Sequence, residues 1–154
     1  MTDWQLTIDA NDPARMVAFW ALALGYAVQP PPEGHRTWND YYRSVGVPET
    51  ELDATGDGTD RIYDPAGQGP KIWFQLVPET KQVKNRLHLD LYPGGGRTVP
   101  REERVRRARV RIDELVAAGA TVARVYPDDF DTDADPDHWF AVLLDPEGNE
   151  FCVS

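Results

Sequence analysis

Alternating polar and apolar residues predict strands in both halves of the chain. In the run WQLTIDA (4–10), Leu6, Ile8 and Ala10 share one side, and the run KIWFQLV (71–77) alternates in the same way. Successive side chains of a strand point to opposite faces, so each run has one apolar face and one more polar face. Four further strands are predicted in the second half: RLHLDLY (86–92), TVARVY (121–126), WFAVLLD (139–145) and EFCVS (150–154).

Two longer segments carry apolar residues at helical spacing and predict helices. The segment NDPARMVAFWALALG has Asp12 as a favourable N-cap, Pro13 in the first turn and Gly25 at its end. The segment VPREERVRRARVRIDELVAAGA ends in the same way at Gly119. Two more strands are predicted after the first helix: YAVQ (26–29) and TWNDYYRSVGV (37–47).

The order of these elements repeats along the chain. A strand, a helix and further strands occur twice, so residues 1–80 and 85–154 are predicted to form two βαβββ halves of an α+β fold. Two polar loops, 47–70 and 127–138, fall outside this plan, and loops of such length are usually functional or mobile.

Composition and charge narrow the class of protein. Hydrophobic residues make up 41% of the 154 residues, which is enough for a folded core. The net charge of −10 argues against nucleic acid and anionic membranes as partners, and it is compatible with a cationic ligand. The single cysteine, Cys152, excludes an internal disulfide. No signal peptide or membrane span is evident, so we expect a cytoplasmic protein.

The second predicted helix is rich in arginine. Glu102 and Glu103 precede Arg106 and Arg107 by four residues, which is the favourable order for ion pairs along a helix. We therefore expect a salt-bridged outer face, and a surface for an anion or a partner is the alternative. The arginines of this helix are Arg101, Arg104, Arg106, Arg107, Arg109 and Arg111.

Two motifs resemble those of a known superfamily. The ending LLDPEGNEFCV (143–153) resembles the DPxGN closing hairpin of the vicinal oxygen chelate superfamily, which includes glyoxalases, bleomycin-resistance proteins and extradiol dioxygenases. The segment NDPARMVAFWALALGY is similar to that superfamily's first helix, and HLDL with DPEGNEFCV resembles its glyoxalase-like domain subgroup. The resemblance implies a single domain over residues 1–154, in which the curved mixed sheets of two βαβββ modules form a cup with the helices outside. It also implies a homodimer.

In such a cup, the more polar face of each strand would line the pocket. In NRLHLDLYP (85–93), for example, leucines fill the odd positions from 87 to 91, while His88 and Asp90 lie between them. Buried polar groups are costly without a partner, so a ligand or bound water is expected at this face. A water-bridged sheet surface with no ligand is the alternative. The candidate ligand-binding residues are Gln5, Thr7, Asp9, Trp73, Gln75, Tyr92 and Cys152.

The superfamily also places metal ligands at four positions of the cup. Carried over residue by residue, these positions fall on Gln5, Gln75, His88 and Cys152, and only His88 keeps a standard identity. Two neutral amides add no charge, whereas divalent ions prefer anionic oxygen or imidazole ligands. We therefore expect no cofactor. A divalent metal such as zinc, nickel or iron is the alternative, and a Cys152 thiolate beside His88 could bind zinc.

Without a metal, His88 is the candidate for acid–base chemistry. We expect His88 and Asp90 to lie roughly 7 Å apart along their strand, too far for direct contact. Asp9 or Glu150 from a neighbouring strand could instead approach His88 and form a proton-transfer pair. The candidate catalytic residues are therefore His88, Asp90 and Glu150, and a satisfied histidine without a catalytic role is the alternative.

Three hypotheses about function follow. The first is a glyoxalase-like protein that binds a small cationic or aromatic molecule, since an aspartate-rich loop at 127–138 would attract a cation. The second is a metal-dependent or histidine-based lyase or isomerase acting on a small carbonyl or aromatic metabolite. The third is a structural partner module.

Overall fold

The computed structural model describes residues 2–54, 56–96, 98–127 and 138–154. The chain divides into two compact units, Met1–Thr80 and Lys81–Ser154. Most of the aspartate-rich loop lies outside the described residues. Within them, no helix has the length and apolar composition needed to span a membrane.

The first unit contains one four-stranded sheet and two α-helices. Its sheet has the order β1-β4-β3-β2, in which β1 and β4 are parallel and the other pairs are antiparallel. A short 3-10 turn covers Glu49–Glu51. The elements are β1 (Gln5–Ala10), α1 (Pro13–Leu24), β2 (Ala27–Val28), α2 (Trp38–Ser44), β3 (Arg61–Tyr63) and β4 (Lys71–Leu76).

The second unit repeats this arrangement with one helix. Its sheet has the order β5-β8-β7-β6, in which β5 and β8 are parallel and the other pairs are antiparallel. The elements are β5 (Asp90–Leu91), α3 (Arg101–Ala117), β6 (Thr121–Tyr126), β7 (Phe140–Leu144) and β8 (Glu150–Val153). The shared strand order confirms the predicted α+β class and its duplication.

Local sequence sets the ends of α1. The Asp12 carboxylate accepts the backbone N–H of Arg15, and Gly25 ends the helix with a φ of 69°, a conformation in which a side chain would be strained. Met16, Val17 and Trp20 are buried on one side of the helix. The buried core of this unit also takes Ile62, Ile72 and Phe74 from the sheet.

The core of the second unit comes from alternate residues of β7 and β8. Ala141, Leu143, Phe151 and Val153 are fully buried, and Cys152 lies on the opposite face of the sheet. The α3 helix buries Ala108, Ile112 and Leu115. As expected, Glu103 pairs with Arg107, but Arg106 pairs with Glu103 at 2.7 Å and not with Glu102 as predicted.

The strand predicted at 37–47 is wrong, because this segment forms α2. The hydroxyl of Thr37 accepts the backbone N–H of Asp40 and caps the helix. The segment 47–70 was expected to be a loop throughout, but it contains the strand β3. A strand of three residues is too short for alternation to reveal it.

The strand predicted at 86–92 is much shorter in the structure. Only Asp90 and Leu91 pair with β8, and Leu87 is 83% exposed, so the leucine alternation does not mark a continuous core face. The preceding segment is held instead by Glu150, which accepts the backbone N–H of Asn85.

Candidate functional site

Parallel pairing of β5 with β8 sets the first part of the candidate site. Asp90 lies directly opposite Cys152, and the backbone N–H of Cys152 donates to the carbonyl of Leu89 at 2.9 Å. Because β8 alternates, the burial of Phe151 on one face turns Cys152 to the other. Two residues far apart in the sequence thus carry their side chains side by side.

His88, Asp90 and Cys152 form one cluster, called here the His88 cluster. The imidazole Nδ1 of His88 lies 3.6 Å from the Asp90 carboxylate and 3.6 Å from the Cys152 sulfur. The expectation that His88 and Asp90 are too far apart to meet is therefore wrong. Their backbones are separated along the chain, but His88 precedes the regular strand, and the side chains converge.

The environment of Cys152 keeps its thiol protonated. Burial raises the pKa of the Cys152 thiol, and the neighbouring Asp90 carboxylate raises it further by charge repulsion and by accepting a hydrogen bond from the thiol. A thiolate is the nucleophilic form of cysteine, so this thiol is poorly reactive at neutral pH.

Glu150, a predicted catalytic residue, is engaged in holding the chain. Its carboxylate accepts the Asn85 backbone N–H at 3.0 Å and lies 3.0 Å from the Lys81 ammonium. The Asn85 hydrogen bond and the Lys81 charge lower the pKa of Glu150 to about 2. A carboxylate with so low a pKa is a weak base, so these contacts favour a structural role.

In the first unit, Trp73 belongs to a packed network. Its indole N–H donates to the buried Asp60 carboxylate at 2.8 Å, and Asp60 also accepts the Tyr42 hydroxyl at 2.6 Å. The Arg61 guanidinium bonds to both Asp60 and Tyr42, and it lies over the rings of Trp38 and Trp73 at 4.6 and 5.2 Å. The indole N–H of Trp73 is thus already satisfied by the protein.

The other predicted ligand-binding residues of this unit share one face of β1 and β4. Gln5, Thr7 and Asp9 are exposed on β1, and Gln75 is exposed on β4 directly beside Asp9. This face is therefore more polar than the opposite face, as the alternation predicted. Its role in binding stays a prediction.

A cleft of about 1180 Å³ lies in the second unit. Two members of the His88 cluster line it, together with Tyr92, which is 68% exposed. Its other walls come from the start of β7 and from the loop that leads into α3. Side chains of differing chemistry thus meet in this cleft, among them Asp90, Tyr92, Arg101, Arg104, Phe140 and Cys152.

Comparison with known proteins decides the family. The profile of the glyoxalase-like domain matches residues 5–154, nearly the whole chain. The chain belongs to the glyoxalase-like domain family. This family places it in the vicinal oxygen chelate superfamily, as the sequence motifs indicated.

Solved structures share the fold of this glyoxalase-like domain. A glyoxalase/bleomycin resistance protein/dioxygenase family enzyme from Burkholderia phytofirmans is 20% identical, with a TM-score of 0.53 over 99% of this chain and 97% of that one. A hypothetical protein from S. aureus is 15% identical, with a TM-score of 0.52 over 99% and 96%. No curated protein matches the sequence.

The strand registers test whether the four metal-ligand positions implied by the superfamily lie close together in this glyoxalase-like domain. Gln5 lies opposite Lys71, whereas Gln75 lies four residues further along β4, roughly 13 Å away along the strand. In the second unit, Cys152 lies opposite Asp90, only two residues beyond His88. In the first unit, the residue two positions beyond Gln5 is Thr7, and it lies opposite Trp73. The position that corresponds to Cys152 is therefore Trp73, so the registers do not support Gln5 and Gln75 as ligands of one ion.

The His88 cluster itself offers a different set of donors. One imidazole nitrogen, one carboxylate oxygen and one sulfur lie within 4.8 Å of one another. Such a set suits zinc, which binds three protein ligands and keeps one position open in catalytic sites. The fit requires loss of the thiol proton, which burial and Asp90 both oppose.

Sequence reasoning did not connect Arg101 and Arg104 with the site. Their helical pattern indicated only an outer face, yet both line the cleft of this glyoxalase-like domain. The PGGG segment before the helix (93–96) was the only sequence signal, because glycines allow the chain to turn closely past a pocket.

Proposed function

We propose that this glyoxalase-like domain binds a small organic molecule in the cleft of its second unit. The observation that carries the proposal is the lining, which combines Asp90 and Cys152 of the His88 cluster with the rings of Tyr92 and Phe140. Ligand sites typically combine an apolar or aromatic wall with a few polar groups that fix orientation. The volume of about 1180 Å³ is somewhat larger than that of most such sites, so the cleft has room for a small organic molecule.

A second candidate function is acid–base catalysis at His88. The contacts of its Nδ1 with Asp90 and Cys152 favour this, because a carboxylate beside an imidazole can orient it for proton transfer. The reaction class would be isomerisation or elimination next to a carbonyl group. Glu150 would take no direct part, since Lys81 and Asn85 hold its carboxylate.

The binding proposal is tested by a thermal-shift screen of carbonyl metabolites and aromatic compounds, followed by calorimetry on the best ligands. Phe140→Ala and Tyr92→Ala should each weaken binding roughly tenfold or more, because both rings line the cleft. Gln75→Ala, an exposed change in the other unit, serves as the control. Binding that responds to Gln75→Ala but not to the two cleft changes would contradict the proposal.

The catalytic alternative needs a separate readout. The ligands found in the screen are incubated with the protein, and products are followed by NMR. Turnover by the wild type that is lost in His88→Asn, while calorimetry still shows binding, would establish the histidine-based enzyme. Binding without turnover would support the binding function and contradict the catalytic alternative.

A further inference from the structure

The arginines of α3 differ in their partners. Arg106 and Arg107 both pair with Glu103 at 2.7 Å, and Arg111 pairs with Glu114 at 2.6 Å. By contrast, the described residues supply neither Arg101 nor Arg104 with a carboxylate partner. Arg109 also has no carboxylate partner among the described residues, and its guanidinium lies over the Trp139 ring at 5.8 Å.

Arg101 and Arg104 both line the cleft and are half-buried. The Nε of Arg101 is fully buried and has no hydrogen-bond partner among the described atoms. Arg104 donates its Nε to the carbonyl of Val99 at 3.2 Å. A buried charged donor without a partner is costly, and a ligand in the cleft would supply the acceptor that Arg101 lacks.

The start of α3 adds to this positive end of the cleft. Pro100 precedes the helix without a side-chain cap, and it lines the cleft with Thr98. The first backbone N–H groups of a helix lack partners within the helix and carry its positive dipole end. They therefore reinforce two side chains that already favour an anion.

The other lining residues indicate what kind of molecule would carry the anionic group. The rings of Tyr92, Trp139 and Phe140 offer flat contact surfaces, and Asp90 is the only acidic side chain among the described lining residues. A free inorganic ion would leave those rings unused, whereas a planar organic molecule would cover them.

We propose that the ligand of this cleft is a planar organic oxyanion, a carboxylate or a phosphate monoester, whose anionic group is held by Arg101 and Arg104. The inference rests on the proposed binding function and names its ligand class. The planar guanidinium fork matches both kinds of oxyanion, and two hydrogen bonds can form to each. Such a ligand differs from the cation expected to bind near the aspartate-rich loop, most of which lies outside the described residues.

The test is calorimetry with matched aromatic probes of different charge. Benzoate and phenyl phosphate carry the two oxyanions, benzamide is neutral, and benzylamine is cationic. The wild type should bind at least one anion more tightly than benzamide or benzylamine. Arg101→Gln and Arg104→Gln should each weaken that binding roughly 10- to 100-fold, as expected for hydrogen bonds to a charged group. The better of the two anions then distinguishes a carboxylate ligand from a phosphate ligand.

Arg106→Gln is the control, since Arg106 lies on the same helix but is paired with Glu103 outside the cleft. Anion binding that is unchanged in both cleft variants, or weakened equally by Arg106→Gln, would overturn the inference. A preference for benzamide or benzylamine, lost in Phe140→Ala, would also overturn it while leaving the proposed function standing. Failure of every probe, whatever its charge, would count against the proposed function as well.

Discussion

The indole N–H of Trp73 donates a 2.8 Å hydrogen bond to the carboxylate of Asp60. Alternation along β4 placed Trp73 on the polar face of its sheet, and that face was expected to contact a ligand. The structure shows that the protein itself satisfies the polar atom of this side chain. The same buried carboxylate accepts the hydroxyl of Tyr42 and the Nε of Arg61, so it joins α2 to the sheet.

Asp60→Ala should therefore destabilise the protein by about 3 kcal/mol or more, because it removes a buried carboxylate and leaves the Arg61 charge without its partner. Urea unfolding measures this change. Asp9→Asn, an exposed carboxylate of the same sheet, should cost less than about 0.5 kcal/mol. Equal effects of the two changes would show that the Asp60 network does not stabilise the unit.

Neighbouring residues on opposite faces of β8 test the assignment of the faces. Phe151 is fully buried, and Phe151→Ala should cost about 3–5 kcal/mol. Cys152→Ala, one residue further, should cost about 1 kcal/mol, since Cys152 is half-buried at the cleft. Both values come from equilibrium denaturation, and a larger loss for Cys152→Ala would mean that the faces are reversed.

Glu150 should make stability depend on acid pH. Its pKa is lowered to about 2 in the folded protein, whereas an unfolded glutamate has a pKa of about 4.3. The ionised carboxylate therefore stabilises the fold fully above about pH 4.3, and this contribution is lost as the pH falls towards about 2. Glu150→Gln should lower the urea midpoint most at neutral pH and progressively less towards about pH 2.

The control for this titration is Glu102→Gln, an exposed change on α3. Its unfolding midpoint should follow the wild type at each pH. A stability gap between wild type and Glu150→Gln that grew on acidification would contradict the assigned contacts of Glu150.

The reactivity of the Cys152 thiol should depend on the charge of Asp90. Burial and Asp90 both raise the pKa of the thiol, so removal of the Asp90 charge should lower it. Alkylation by iodoacetamide is specific here, because the chain has one cysteine. Asp90→Asn should react faster than the wild type at mildly alkaline pH, whereas Asp113→Asn on α3 should not. A slower reaction of Asp90→Asn would refute the contact.

The metal content should be well below one ion per chain after purification without added metal. Gln5 and Gln75 lie at different levels of their sheet, and the Cys152 thiol resists deprotonation. Elemental analysis of wild type and His88→Ala provides the measurement. About one zinc, nickel or iron per chain that disappears in His88→Ala would establish a metal site at the His88 cluster instead.

The sequence by itself determined most of the regular elements. Asp12 and Gly25 marked the ends of α1, and alternation identified β1, β4, β7 and β8, because these signals depend only on neighbours along the chain. The closing motif at 145–149 identified the superfamily. Local patterns did not reveal α2, a helix of seven residues capped by Thr37, or β3, a strand of three residues that is too short to alternate.

Tertiary structure decided which side chains meet. Strand alternation gives the face on which Cys152 lies, but the register between β5 and β8 decides that it lies opposite Asp90. That register depends on contacts between residues more than sixty positions apart, which no local pattern records. The same holds for Arg101 and Arg104: helical spacing placed them on an outer surface, and only the path of the chain before α3 turned that surface into a wall of the cleft.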